Sequence, residues 1–436
     1  MSLLIRQGRV VDPVNGVDEV RDLLLDKGVV AAAARQITAT ADTVIDAAGR
    51  IVIPGVIDMH VHLREPGRED KETVATGTRA ALAGGVTTVL AMPNTEPAMD
   101  TAAAVRQLTD IGARTAACRV LVCGTLTKGR AGKEPVAVPV LKEAGVIALS
   151  DDGTSVEDPA VMEEVLKAAR AADLPVICHC EDKALSGRGV MNLGYMSTVL
   201  GLRGIPREAE SERVKRDILL AAKTGAAIHI AHVSCRESVE LVREAKKKKI
   251  SVTAETAPHY FALTEEALID FDTNFKMNPP LRTAEDVAAV RAGLKDGTID
   301  CIASDHAPHT ENEKEIEFDR AEFGVVGLET ELAVALTELI GRDILTWPQL
   351  VMKFCVNPAR ILKCGRGHLA AGAPADVVIV DPAVSWRATR EGLVSKSRNS
   401  AFLGRTLTGR VLHTIREGSL AFTRAETVEA KEPCRS

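Results

Sequence analysis

Two histidines separated by a single residue, His60 and His62, close the apolar run Ile51-Val52-Ile53-Pro54-Gly55-Val56-Ile57 after Asp58-Met59. In an extended strand, residues two apart face the same side, so both imidazoles can reach one metal ion while Val61 packs the other way. A lone His-x-His pair says little, because polar residues at a strand end have many uses. The chain supplies more ligands of the same kind in Ser150-Asp151-Asp152-Gly153, His179, His232 and Ser304-Asp305-His306-Ala307-Pro308-His309. Taken singly, His179 or His232 would pass for a hydrogen-bonded core histidine, and Asp152 or Asp305 for a helix cap. Four His and two Asp, each ending an apolar run, point instead to a metal centre. Such ligands suit zinc, and nickel, cobalt or manganese also accept them. A divalent ion lowers the pKa of its bound water from 15.7 to about 7, giving hydroxide at neutral pH. Hydrolysis or its reverse is the expected chemistry.

Ligands so far apart in sequence need a scaffold that brings strand ends to one rim. Eight apolar runs qualify as strands: Ile53 to His62, Thr87 to Asn94, Arg119 to Thr125, Val146 to Asp151, Pro175 to Cys180, Ala227 to Val233, Ser251 to Glu255 and Ile299 to Ser304. Helical patterns such as Asp158 to Ala172 and Glu237 to Lys248 follow them. Alternation of this kind predicts an α/β chain with a distorted (β/α)8 TIM barrel, whose sites lie at the C-terminal ends of the strands. The first fifty residues hold short strands around Leu3 to Ile5, Val10-Val11, Asp22 to Leu25 and Val44-Ile45, and the tail repeats the style in Asp376 to Val380 and Gly409 to His413. Neither end can bury a core alone, so the two are expected to form one small β-sandwich domain. The expected division is 1–54 and 366–436 for the sandwich and 55–365 for the barrel. Arg424 to Ser436 lacks apolar periodicity and is expected to fray.

Composition narrows the class. Of 436 residues, 46% are hydrophobic, 26% charged and only 3% aromatic, so the core must rest on aliphatic side chains. A net charge of -6 leaves no footprint for nucleic acid, and Lys246 to Lys249 reads as the solvated end of a helix. The absence of a signal-peptide pattern at Met1 to Arg6 and of any membrane-spanning apolar stretch suggests a cytoplasmic protein without membrane contact. Nine irregularly spaced cysteines suit a reducing compartment. Cys178 and Cys180 share the face opposite His179 and are expected to be buried rather than to bind metal.

Longer motifs surround these ligands. Pro54 to Gly67 (PGVIDMHVHLREPG), Met92-Pro93-Asn94-Thr95, Lys276 to Arg282 (KMNPPLR), Ser304 to His309 (SDHAPH) and the tail elements Gly367 to Gly372 and Ala375 to Pro382 resemble the dihydroorotases of class I bacterial type, within the amidohydrolase superfamily. The likeness spans nearly the whole chain. It implies reversible conversion of N-carbamoyl-L-aspartate to L-dihydroorotate in pyrimidine synthesis, with one or two zinc ions per subunit and two expected. By that resemblance His60 and His62 bind the first metal, His179 and His232 the second, Asp152 bridges them, and Asp305 binds the first while shuttling the proton. The commoner superfamily bridge is a carbamylated lysine, and Gly145 to Gly153 contains no lysine. Class I bacterial dihydroorotases share that substitution, with Asp151 as the rival bridge.

For the substrate, the resemblance implies contacts from His62, Arg64, Asn94, Asn278, His309, Phe323 and Gly324, with Arg64 forking onto the carboxylate. Thr310 to Phe323 would act as a lid or as a solvated acidic loop. Competing readings are an allantoinase or dihydropyrimidinase, and a non-catalytic scaffold for aspartate transcarbamoylase. Relatives form homodimers or join that transcarbamoylase.

Overall fold

The structure is a computed structural model that describes residues 2–425, so the expected fraying of Arg424 to Ser436 falls almost wholly outside the described residues. Eight parallel strands, Val56–Val61, Val86–Ala91, Arg119–Gly124, Val146–Leu149, Val176–Cys178, Ile228–Ile230, Val252–Thr256 and Cys301–Ile302, lie side by side in chain order. They coincide with the eight expected runs apart from residues at the ends. The eighth strand returns to the first through a Val61–His306 bridge and a hydrogen bond from His62 N to His306 O of 2.9 Å. Distortion is concentrated between the fourth and fifth strands, which share the single pair Leu149–Val176.

The helices form where sequence chemistry starts them. Pro159–Ala171 begins with Asp158 accepting from Ala160 N and with proline in the first turn, and buries Met162, Val165, Leu166 and Ala169 at helical spacing. Arg236–Lys247 likewise buries Val239, Val242 and Ala245. Its lysine-rich end is tied down: Lys246 Nζ reaches Asp300 (2.6 Å) and Gly297 O (3.0 Å), and Lys247 reaches Glu244 (2.7 Å). Inside the barrel, Ile57, Met59, Leu90, Leu121, Ile177 and Cys301 pack with Ala359 and Leu362 into an aliphatic plug. Cys178 and Cys180 belong to the cluster outside the strands, as their alternation with His179 requires. All eight cysteines among the described residues are free, and seven are buried. No helix among the described residues is long and apolar enough to cross a membrane.

Both termini build one eight-stranded sheet, in which Ile51–Pro54 from the N-terminal part pairs antiparallel with Val377–Val380 from the C-terminal part. Val377 and Ile379 enter the sheet's own core with Leu3, Ile5, Leu23 and Leu25, while Val378 and Val380 face the barrel-side cluster. The sheet differs from the sequence reading in several places. Leu3 to Ile5 and Val10-Val11 belong to one strand, Ser2–Asp12, with a register shift between Ile5 and Gly8. Val29–Ala34 is an additional strand, and its alanine-rich sequence carries little β preference. Tertiary pairing supplies what propensity lacks, including Val30 N to Ala373 O at 2.9 Å.

The expected strand Ile53 to His62 is also two strands, one per sheet, divided at Gly55. A Cβ at Gly55 would stand 2.2 Å from Thr87 Oγ1 and 2.9 Å from the Asp376 Cβ, so only glycine lets barrel and terminal sheet approach this closely. Gly55→Ala is expected to cost about 1–3 kcal/mol through overpacking, read as a lower thermal midpoint. An unchanged midpoint would mean that the wall yields.

Candidate metal centre and substrate cleft

The Asp152 carboxylate sits among four imidazoles. Its Oδ1 lies 3.2 Å from His60 Nε2, 3.4 Å from His179 Nδ1 and 3.6 Å from His232 Nε2, and its Oδ2 lies 3.5 Å from His62 Nε2. Asp305 Oδ1 approaches the first pair, 3.6 Å from His60 Nε2 and 3.5 Å from His62 Nε2. All six expected ligands therefore converge, from the ends of the first, fourth, fifth, sixth and eighth strands. Each is more than nine-tenths buried. Asp151 turns away: its carboxylate accepts from Leu126 N (2.8 Å), Thr127 N (3.2 Å) and the Thr127 hydroxyl. That arrangement caps a loop and leaves Asp152 alone facing the histidines.

The donor set fits a divalent cation. His60 Nε2 and Asp152 Oδ1 are buried and have no hydrogen-bond partner among the described residues, although each points at the other's neighbourhood. Ligand atoms of His60, Asp152 and His232, and of His60, His62 and Asp305, form two overlapping groups, each within 4.8 Å. Burial by itself would raise the Asp152 pKa. The surrounding imidazoles outweigh it and hold the carboxyl well below its usual range. Burial also opposes protonation of His179, yet Asp152 and Glu181 raise its pKa to about 9. The cluster thus demands positive charge, as ring protons or as a metal.

A second layer orients the rings. Glu255 accepts from His60 Nδ1 (2.7 Å), Asn94 Oδ1 from His62 Nδ1 (2.8 Å) and Glu181 from His179 Nε2 (3.2 Å), leaving the opposite nitrogens for the centre. Asp58 accepts from His60 N (3.0 Å) and Ser304 N (3.2 Å), tying the first strand's ligands to the strand that carries Asp305. Sequence reasoning missed Glu255, Glu181 and Asp58. Glu255 had a usable signal, a carboxylate at the C-terminal end of the seventh barrel strand. Three site residues have positive φ, Arg64 at 61°, His232 at 36° and Asp305 at 49°, a backbone region that non-glycine residues rarely occupy.

Above the ligands opens a cleft of about 480 Å³. His62, Arg64, Asn94, Asn278, His309, Phe323 and Gly324 all line it together with Asp152, His179, His232 and Asp305. Arg64 Nε donates to Pro308 O at 3.1 Å beside His309, and Arg68, Lys71, Arg130 and Lys183 add positive charge at the rim. His309 is fully engaged, with Nε2 donating to Phe323 O (2.8 Å) and Nδ1 accepting from Lys71 (3.2 Å). Its burial near Arg64 and Lys71 keeps it neutral, with a pKa well below the usual value. The Thr310 to Phe323 segment exposes Glu311, Glu315, Glu317, Asp319 and Glu322, and is anchored from behind by two buried lysines. Lys276 Nζ donates to the carbonyls of Phe318 (2.8 Å) and Ala321 (2.6 Å), and Lys314 Nζ to those of Glu322 (2.8 Å) and Gly324 (3.0 Å). Burial lowers these two ammonium pKa values to about 8 and about 7.

Residues 49–238 match the family described as dihydro-orotase-like. A dihydroorotase of Trichlorobacter lovleyi is 48% identical over 97% of this chain and 100% of its own length, and one of Pelotomaculum thermopropionicum is 51% identical over 95% and 97%. The chain belongs to the dihydroorotase family. Among solved structures, the L-hydantoinase (dihydropyrimidinase) of Arthrobacter aurescens superposes with a TM-score of 0.88 over 98% of this chain and 97% of its own. At 24% identity that likeness speaks for the fold alone.

Because Asp152 faces the imidazoles and Asp151 faces a loop, the two substitutions should separate cleanly. Asp152→Ala is expected to lower bound metal, measured by elemental analysis, at least tenfold at limiting metal, while Asp151→Ala mainly lowers the melting temperature. Metal loss confined to Asp151→Ala would move the ligand by one residue.

Proposed function

We propose that this chain is a metal-dependent dihydroorotase, interconverting N-carbamoyl-L-aspartate and L-dihydroorotate in pyrimidine biosynthesis. The observation that carries the reading is the convergence of four histidines and two aspartates at the floor of a cleft that Arg64, Asn94 and Asn278 also line, in a chain about half identical to dihydroorotases along nearly its whole length. His60, His62 and Asp305 would hold one zinc ion and His179 and His232 a second, with Asp152 between them. Bound there, the ions supply a water acidified toward neutral pH and a Lewis acid for the scissile carbonyl. The bridge matters because two cations about 3.5–4 Å apart repel unless an anion lies between them.

The chain's own groups account for the rest. Arg64 and the Asn94 amide hold the substrate carboxylate, with His309 on the same side and Phe323-Gly324 forming the wall beside the ring. In the hydrolytic direction water adds to the ring amide carbonyl. Asp305 takes its proton and returns it to the departing nitrogen. An allantoinase or dihydropyrimidinase activity is not favoured, and a scaffold-only role fits poorly with a complete ligand set. The reading carries with it a cytoplasmic location and assembly as a homodimer or with aspartate transcarbamoylase, as the resemblance implies.

Turnover of dihydroorotate by the metal-loaded protein, with allantoin and dihydrouracil as controls, tests the assignment directly; conversion of a control in preference to dihydroorotate would overturn it. Asp305→Ala is expected to lose at least a thousandfold in kcat while retaining metal. Near-normal turnover would remove Asp305 from proton transfer. Cyclisation converts a carboxylate into an amide and consumes one proton. Above the carboxyl pKa of about 4, each unit fall in pH should therefore shift the equilibrium about tenfold toward dihydroorotate, measured by absorbance at equilibrium.

A further inference from the structure

Two asparagines face the cleft, and the groups behind them fix which end of each amide points inward. His62 presents Nε2 to the carboxylates, so its Nδ1 carries the proton and donates to Asn94 Oδ1 at 2.8 Å. The Asn94 amide nitrogen is then left for the cleft, beside Arg64, as a donor. Asn278 is held the opposite way. Its Nδ2 lies 2.9 Å from Glu181 Oε2, and a carboxylate can only accept, so the Asn278 NH2 is committed to Glu181. Asn278 Oδ1 has no partner among the described residues and is left as an acceptor lining the cleft.

We propose that Glu181 is a positioning residue that sets the polarity of the substrate site by orienting Asn278 to accept a hydrogen bond from the ring. This rests on the dihydroorotate reading and on Asn278 touching the ring. Glu181 suits the task because it is itself held. The same Oε2 receives Lys183 Nζ at 2.5 Å and His179 Nε2 at 3.2 Å, and the residue is 7% exposed. One carboxylate therefore couples the ring of a candidate metal ligand to the orientation of a substrate contact. The chemistry identifies the partner atom. Dihydroorotate has two ring N–H groups, and the nitrogen that departs on hydrolysis must be open to Asp305. The N–H next to the carboxylate-bearing carbon, N1, stays bonded throughout and is the one left for Asn278 Oδ1. Donors for the carboxylate together with an acceptor for the neighbouring N1–H admit the substrate in one orientation.

The test uses the metal-loaded enzyme and two substrates, dihydroorotate and its N1-methyl derivative, which lacks the proton that Asn278 would accept. Their kcat/KM values are compared as a ratio, which is insensitive to the fraction of each variant that is folded or loaded with metal. The wild type is expected to prefer dihydroorotate over the methyl derivative by about tenfold beyond any preference left in Asn278→Ala, the loss typical of one hydrogen bond. Glu181→Ala should lose that preference to the same extent, and the double variant should lose no more than either single. Glu181→Gln, which keeps an oxygen able to accept from Asn278, should retain it. Glu181→Ala with the wild-type preference, or a double variant whose loss is the product of the singles, would overturn the positioning role. Failure of the readings underneath is distinct: no turnover of dihydroorotate by the wild type sinks the activity, and an unchanged preference in Asn278→Ala sinks the ring contact.

Discussion

A carboxylate buried among imidazoles is tolerable only if positive charge accompanies it, and the geometry around Asp152 follows from that constraint. Four ring nitrogens stand within 3.2–3.6 Å of its two oxygens. Three of those rings have the other nitrogen engaged, by Glu255 behind His60, Asn94 behind His62 and Glu181 behind His179, whereas His232 Nδ1 has no partner among the described residues. The arrangement is an electrostatic nest with carboxylates both inside and outside the ring layer. Its inner members attract a cation, and its outer members stop the rings from turning away.

Holding such a nest together requires that strand ends distant in sequence keep their register. The closing seam does this at the most demanding point. Asp58 receives backbone N–H groups from both the first and eighth strands, and His62 N reaches His306 O across the same seam. The terminal sheet braces the structure from outside, with Gly55 permitting the close contact and Val378 and Val380 feeding the shared core. By contrast, the fourth and fifth strands touch through one residue pair. Asp152 and His179 leave from those two strands, beside that single ladder pair.

Much of this was legible in the sequence because it depends on periodicity and residue type. The eight barrel strands are mostly aliphatic runs with the ligands at or near their C-terminal ends. Alternation accounts for His179 between Cys178 and Cys180, whereas His60 and His62 share the interior with Ile57 and Met59 only because the register shifts between Asp58 and Val61. Resemblance supplied Arg64, Asn94, Asn278, His309, Phe323 and Gly324, and the cleft brings them together. What stayed hidden depends on partners that a linear pattern does not name. Val29–Ala34 is a strand only because neighbours hydrogen-bond to it. Residue type alone does not separate Asp151 from Asp152; resemblance favoured Asp152, and the Leu126-Thr127 backbone takes Asp151. Glu181 and Asp58 read as ordinary charges until the rings and amides around them are in place.

The two buried lysines alter how the wall of the cleft should be imagined. Each ammonium is wrapped by main-chain carbonyls of residues 318–324, the way a bound potassium ion is wrapped by oxygens, and Lys276 also rests 4.6 Å from the centre of the Phe323 ring. Swinging that segment outward would strip both cations of their oxygen shells within an apolar setting. The 318–324 stretch is thus pinned from behind at two points, like a door jamb fixed to its frame.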